Sequence, residues 1–197
     1  MPYRLISALT IIFYFTFSVT LIGQEKNEKE ERIDFVELPI SIQNISKSLP
    51  DNAKRIKYYL EVDGSKKSFE IKLKYKSVRY SIEFSEEGEL EDIEVLSKFK
   101  DIEDSIKTQI TSYFEKNFEK HKIIKLQHQY IFNNTSSASE FMKIIMSEND
   151  KTLPNFELIV EVKTLEKREL REITFNPTGN FISSRIVNPS AYDYVLY

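Results

Sequence analysis

The sequence predicts an α+β fold of two tandem repeats, each a helix followed by a four-stranded antiparallel sheet. Two observations carry this. The stretch Arg79–Val95, RYSIEFSEEGELEDIEV, returns as Leu170–Val187, LREITFNPTGNFISSRIV. At an offset of 91 residues, Ile82 and Phe84 match Ile173 and Phe175, Gly88 matches Gly179, Leu90 matches Phe181 and Val95 matches Ile186. In addition, a segment with helical spacing precedes the alternating runs in each half. A glycine shared between two alternating runs marks a shared turn, because glycine accepts positive φ without steric cost.

In the first half, Leu38, Ile42, Ile45 and Leu49 recur on one helical face. Pro39 suits a first turn and Pro50 ends the segment. From Arg55 to Val62 the chain alternates, with Ile56, Tyr58, Leu60 and Val62 on one side and Arg55, Lys57, Tyr59 and Glu61 on the other. Asp63-Gly64 is a two-residue hairpin signal leading to Phe69–Tyr75. Arg79–Ser85 and Leu90–Leu96 follow, with a parity shift that predicts a bulge near Glu91-Asp92. One face of this unit reads as an open lattice of Lys, Arg and Glu.

In the second half, Asp101 is the expected N-cap of a helix over Ile102–Phe118. Strands are expected at Ile123–Phe132, Phe156–Lys163, Leu170–Phe175 and Phe181–Val187. Residues 133–153 form an insert with no counterpart in the first half. Its EFMKIIM run predicts a short helix around Ser139–Met146, either a lid on the core or a binding element. The organisation is thus a leader at 1–23, a flexible tether at 24–34, repeats at 35–97 and 98–187, and a tail at 188–197, read as an edge strand or a frayed end.

Met1–Gly23 places Arg4 before an apolar run and is followed by the charged QEKNEKEER. That is the pattern of a secretory leader with cleavage after Gly23, although Leu21 departs from the small-residue rule; retention as an N-terminal anchor is the alternative. The chain has no Cys, so neither disulfides nor thiolate chemistry is available. Cys-free export fits a bacterial periplasm or cell surface. Net charge is −3 with both signs interspersed, which leaves no basic stripe for a nucleic acid.

No catalytic constellation is assembled. His121 and His128 are the only histidines, and no phosphate loop, serine elbow or HExxH is present. The acidic run Glu86, Glu87, Glu89, Glu91, Asp92 and Glu94 lacks the ligand order of a calcium loop and reads as a solvated hairpin. No metal or cofactor is therefore expected. The residues assigned to partner contact are Tyr59 with Lys57, Lys72 and Arg79 on the polar sheet face, and Phe141, Ile144 and Ile145 on the insert.

Leu38-Pro39 at the first helix, Tyr80-Ser81-Ile82-Glu83-Phe84 with Gly88, and Ile173-Thr174-Phe175 with Gly179 together resemble the PepSY-like family. Its units look like those of the beta-lactamase inhibitory protein. The resemblance spans about Phe35–Val187 and departs at the insert and at Asp101-Ile102, which stands where Leu-Pro would be. It implies an exported, non-catalytic binding module of a kind that includes enzyme inhibitors, and it transfers no contact residue. The expected partner is a protein or peptide of the envelope. A membrane-retained structural or accessory protein is the alternative.

Overall fold

Period-two alternation gives each strand two chemically different faces, and the structure sorts them to opposite sides of one sheet. The structure is a computed structural model that describes residues 25–147 and 152–195. The expected leader lies outside these residues. Among the described residues, no helix is long and apolar enough to cross a membrane.

Nine strands run antiparallel in sequence order: β1 (Glu28–Ile33), β2 (Lys54–Asp63), β3 (Lys66–Tyr75), β4 (Val78–Ser85), β5 (Leu90–Ser97), β6 (Lys120–Ile131), β7 (Asn155–Lys163), β8 (Arg168–Phe175) and β9 (Phe181–Ile186). Three helices, α1 (Ile40–Ser46), α2 (Asp104–Asn117) and α3 (Ala138–Ile145), supply apolar residues to the outer face. Ile71, Leu73, Ile82, Phe84 and Ile93 pack with Ile42 of α1 and with Phe141, Met142 and Ile145 of α3. Leu158, Val160, Ile173 and Phe175 pack with Ile110 and Phe114 of α2. Each such side chain, fully buried, stabilises the fold by roughly 1.5–3 kcal/mol.

The expectation of two separate helix-plus-four-strand repeats is corrected. β5 pairs directly with β6 from Asp92↔Ile131 to Ser97↔Leu126, so the strands of both halves make one continuous sheet. The physical reason is that a lone four-stranded sheet would leave unpaired N–H and C=O groups along these two strands, and each satisfies the other. Residues 28–33, expected within a tether, form β1 and pair with β2 over six residues. Asp101 does not cap α2. It closes a 3-10 turn at Phe99–Asp101, and α2 begins at Asp104 after Glu103. The tail forms a 3-10 turn at Pro189–Ala191 and a short helix, α4 (Tyr192–Val195), rather than a strand.

The sheet curls until its edges meet at one corner. Lys26 N donates to Ile186 O, and Asn188 N donates to Lys26 O, both at 2.8 Å, making a parallel bridge between Lys26 and Val187. Beneath this seam Ile159, Leu170, Val187 and Ala191 form a small apolar cluster with Tyr192. By register, Ile159 and Leu170 belong to the inner face, so this cluster plugs that end of the curl.

The two matched turns do agree locally. Gly88 and Gly179 share φ of 82°. Each donates its N–H to the residue three before it, Ser85 and Asn176, at 2.9 Å. Each lies in the turn beside a register shift, where Glu83 and Phe84 pair with Asp92 and Leu90, and Thr174 and Phe175 with Ser183 and Phe181, so the predicted bulge near Glu91 is present. Each glycine also lies against a helix: a Cβ at Gly88 would collide with Ser41 of α1, and one at Gly179 would sit 2.9 Å from Cβ of Gln109 and 3.0 Å from the Ile106 carbonyl of α2. We expect Gly88→Ala and Gly179→Ala each to cost more than the ~1 kcal/mol typical of a point mutation, since positive φ and overlap add. Urea melts with unchanged midpoints would show that these turns are not the points where helix and sheet are locked together.

Candidate binding cavity

The inner face is built by register from the polar residues of alternating strands. Glu30 of β1 faces Glu61 of β2. Tyr59, Glu70, Glu83 and Asp92 stand opposite one another across β2 to β5. Lys57, Lys72, Ser81, Glu94 and Gln129 form the next row across β2 to β6. Glu172 of β8 faces Arg185 of β9. Because the sheet curls, this surface lines a cavity of about 1210 Å³ whose walls include Lys26, Tyr59, Glu70, Lys72, Glu94, Gln127 and Glu157. At one end stand the basic side chains Arg55, Lys57, Lys74, Arg79, Lys98 and Lys125.

Ion pairs tie the face together. Lys26 Nζ lies 2.7 Å from Glu28 and 2.6 Å from Glu172. Arg185 reaches Glu172 and, across the seam, Asp63 of β2, both at 2.7 Å. Lys72 Nζ lies 2.6 Å from Glu30 and 3.2 Å from Glu70, and sits 5.1 Å from the centre of the Tyr59 ring. Ser81 Oγ donates to Glu70. Gln127 donates to Glu94 at 2.5 Å and Gln129 to Asp92 Oδ2 at 2.9 Å.

Carboxylates nevertheless exceed cations in the interior, and their acidities show it. Burial, then the charges of Glu28 and Glu70, pushes Glu61 up to about 8. Burial, then Glu70, takes Glu30 to about 7. Burial, then Glu172, takes Glu157 to about 7. Burial takes Asp92 to about 6 against the hydrogen bond from Gln129. Glu83 and Glu94 are raised well above the carboxylate range by burial, with Asp92 and Glu157 respectively the largest adjacent charges. Glu172 goes the other way: burial opposes ionisation, but Lys26 and Arg185 hold it below its usual value.

Tyr59, Lys57, Lys72 and Arg79, assigned from sequence, come together on this cavity. Phe141 and Ile145 do not join them. They are 8% and 5% exposed and belong to the outer core, whereas Ile144 is 40% exposed on the far side of α3. The insert helix is thus a lid on the core, driven there by its own apolar face. The solvated-hairpin reading of the acidic run is corrected for Asp92 and Glu94, which are 9% and 7% exposed. Sequence reasoning also missed Lys26, Glu83, Glu157, Glu172 and Arg185. The available signal was the recurrence of acids at one parity in successive alternating runs.

The arrangement can hold a polar partner or a hard cation through oxygen donors. Among the described residues, the candidate metal-binding group is Glu83, Asp92 and Glu94. His128 lies on the outer face against Phe156, with ring centres 5.4 Å apart, and burial lowers its pKa.

No family model matches the sequence. No curated protein matches it either. Among solved structures, the chain is similar to the crystal structure of a DUF2874 family protein from Bacteroides ovatus ATCC 8483. The TM-score is 0.50 at 9% identity, over 75% of this chain and 86% of that one. At that identity the likeness concerns the fold alone and carries no residue across.

Two outcomes follow for stability. In the unfolded chain Glu and Asp ionise near 4.5 and 3.8, while Glu30, Glu61, Asp92 and Glu157 in the folded chain ionise at about 7, 8, 6 and 7. The folded state therefore holds more protons between these limits, and stability falls as pH rises from about 4.5 to about 8. Glu172 acts oppositely, its contribution being lost below the ordinary carboxylate range. Metal-free thermal melts should show a higher Tm near pH 5 than near pH 8; a Tm that rises over that interval contradicts the assignment. Lys26→Met should cost on the order of 3–5 kcal/mol, because it leaves Glu28 and Glu172 buried without their ammonium. A denaturant midpoint within error of wild type would show that the seam does not need this charge.

Proposed function

We propose that this chain is an exported, non-catalytic binding module that takes a protein or peptide segment into the cavity of its inner sheet face. One observation carries the reading: a continuous cavity of about 1210 Å³, formed by a polar sheet face and bordered at one end by cations. That volume exceeds the roughly 300–1,000 Å³ of small-molecule sites and suits a length of polypeptide. Lys57, Lys74, Arg79 and Lys98 make no ion pair among the described residues. The half-buried ring of Tyr59 is held under Lys72. A segment with acidic side chains at this end would satisfy those cations, while the interior acids disfavour an anion deeper in. The charge distribution thus supports an acidic segment entering from this end.

The leader at Met1–Gly23 and the lack of Cys support export. The resemblance to PepSY-like modules accords with binding without turnover. The test uses fluorescence anisotropy with labelled Glu-rich and Lys-rich peptides of equal length. The Glu-rich peptide should bind, more weakly at higher salt. Lys74→Glu with Arg79→Glu should weaken it by at least about tenfold, or about 1.4 kcal/mol. Equal binding of both peptides, or a charge reversal without effect, sinks the proposal.

A further inference from the structure

A second, smaller void of about 170 Å³ opens beside the main cavity, and Glu61, Glu83, Asp92, Glu94 and Gln129 are among its walls. Nearly everything lining it is an oxygen donor or a charged group. Glu83 of β4 stands directly opposite Asp92 of β5, with Glu94 one pleat further along the same strand. One carboxylate oxygen from each of the three lies within 4.8 Å of the others. Ionised together, carboxylates so placed repel one another, and nothing in the backbone pairing relieves that repulsion.

The nearest cations are already committed. Lys26 is held by Glu28 and Glu172, Arg185 by Glu172 and Asp63, and Lys66, which also lines the void, by Glu91. Gln129 occupies Asp92 Oδ2 and Gln127 occupies Glu94 Oε2. Asp92 Oδ1 is left sealed from solvent, on a residue only 9% exposed, with no hydrogen-bond donor among the described residues. A buried carboxylate oxygen without a donor, next to two further carboxylates, is an acceptor awaiting a positive charge.

We propose that Glu83, Asp92 and Glu94 bind a calcium ion, with Asp92 Oδ1 among its ligands. The donor set is all oxygen, which selects a hard cation over zinc or copper. Coordination then separates calcium from magnesium. Calcium accepts six to eight oxygens in irregular geometry, and three carboxylate oxygens gathered within 4.8 Å of one another can serve it. Magnesium demands a near-ideal octahedron and gives up its waters reluctantly, which a set of side chains fixed by strand register does not match. The adjoining void has room for several waters at ~30 Å³ each to complete the six to eight oxygens calcium takes. Glu83 and Glu94 also line the main cavity, but this site does not depend on the peptide reading, because its ligand is a metal ion and its test uses no peptide.

The test is isothermal titration calorimetry of chelator-treated protein with CaCl2 and with MgCl2 near neutral pH, paired with thermal melts. Wild type should bind one calcium per chain with a Kd on the order of 10⁻⁴ M, and Tm should rise with calcium. Magnesium should bind at least about tenfold more weakly. Asp92→Asn and Glu83→Gln should each weaken calcium at least about tenfold, and Glu86→Gln, on an exposed turn, should not. The two amides keep the shape and remove like-charge repulsion, so both variants should fold. If either does not, the other variant and the wild-type titration decide. No calcium heat and no shift in Tm, or equal affinity in Asp92→Asn and Glu83→Gln, overturns the site.

Discussion

Lys26 joins the two ends of the sheet in two different ways, and the interior depends on both. Its backbone bridges to Ile186 and Asn188, so the first strand segment meets the last. Its ammonium enters the interior and lies between Glu28 and Glu172. Without the bridge the sheet would be an open, twisted meander with two free edges. Without the ammonium, the curl would press carboxylates from β1 and β8 into a space with too few positive charges. Arg185 repeats the arrangement across the same seam by joining Glu172 to Asp63. Closure and charge compensation are therefore one device, made by residues that are far apart in sequence.

The two faces of the sheet do different work. The outer face carries the stability: it buries the branched and aromatic side chains of the strands under α1, α2 and α3, with the matched glycine turns set against the first two helices. The inner face spends part of that stability on polarity. Glu61, Glu83, Asp92, Glu94 and Glu157 all have acidities weakened mainly by burial. Groups so perturbed, gathered on a concave surface, are where a ligand can recover free energy that the fold alone does not. A basic end and an acidic interior within one cavity give that surface a polarity along its length, and a cation at Glu83, Asp92 and Glu94 would sit at the acidic part of it.

The strands, turns and bulge were legible in the residues because they are local properties. Alternation identified β2 to β9, the matched glycines located two equivalent turns, and the parity shift at Glu91-Asp92 located a bulge. Four cavity residues, Lys57, Tyr59, Lys72 and Arg79, were also legible, since parity alone placed them on the polar face. Charge composition hid β1: EKEERI carries five charged residues among its six, and its pairing with β2 comes from backbone groups and cross-strand ion pairs such as Lys72 with Glu30. Phe141 and Ile145 looked available because a loop insert gives no indication of where its apolar side will land.

By itself the sequence determined which side chains share a face, because the side-chain period of a strand is a matter of backbone geometry. It also determined where the chain turns, because Gly88 and Gly179 accept a φ of 82° that other residues resist. Only the tertiary structure decided that the two halves share one sheet, that the sheet curls until Lys26 meets Val187, and that the lattice of Lys and Glu is an interior rather than an open surface. The reason is that alternation fixes sides but not curvature. Whether Asp92 and Glu94 face bulk water or one another depends on strand twist summed over nine strands and on a bridge between residues 161 positions apart.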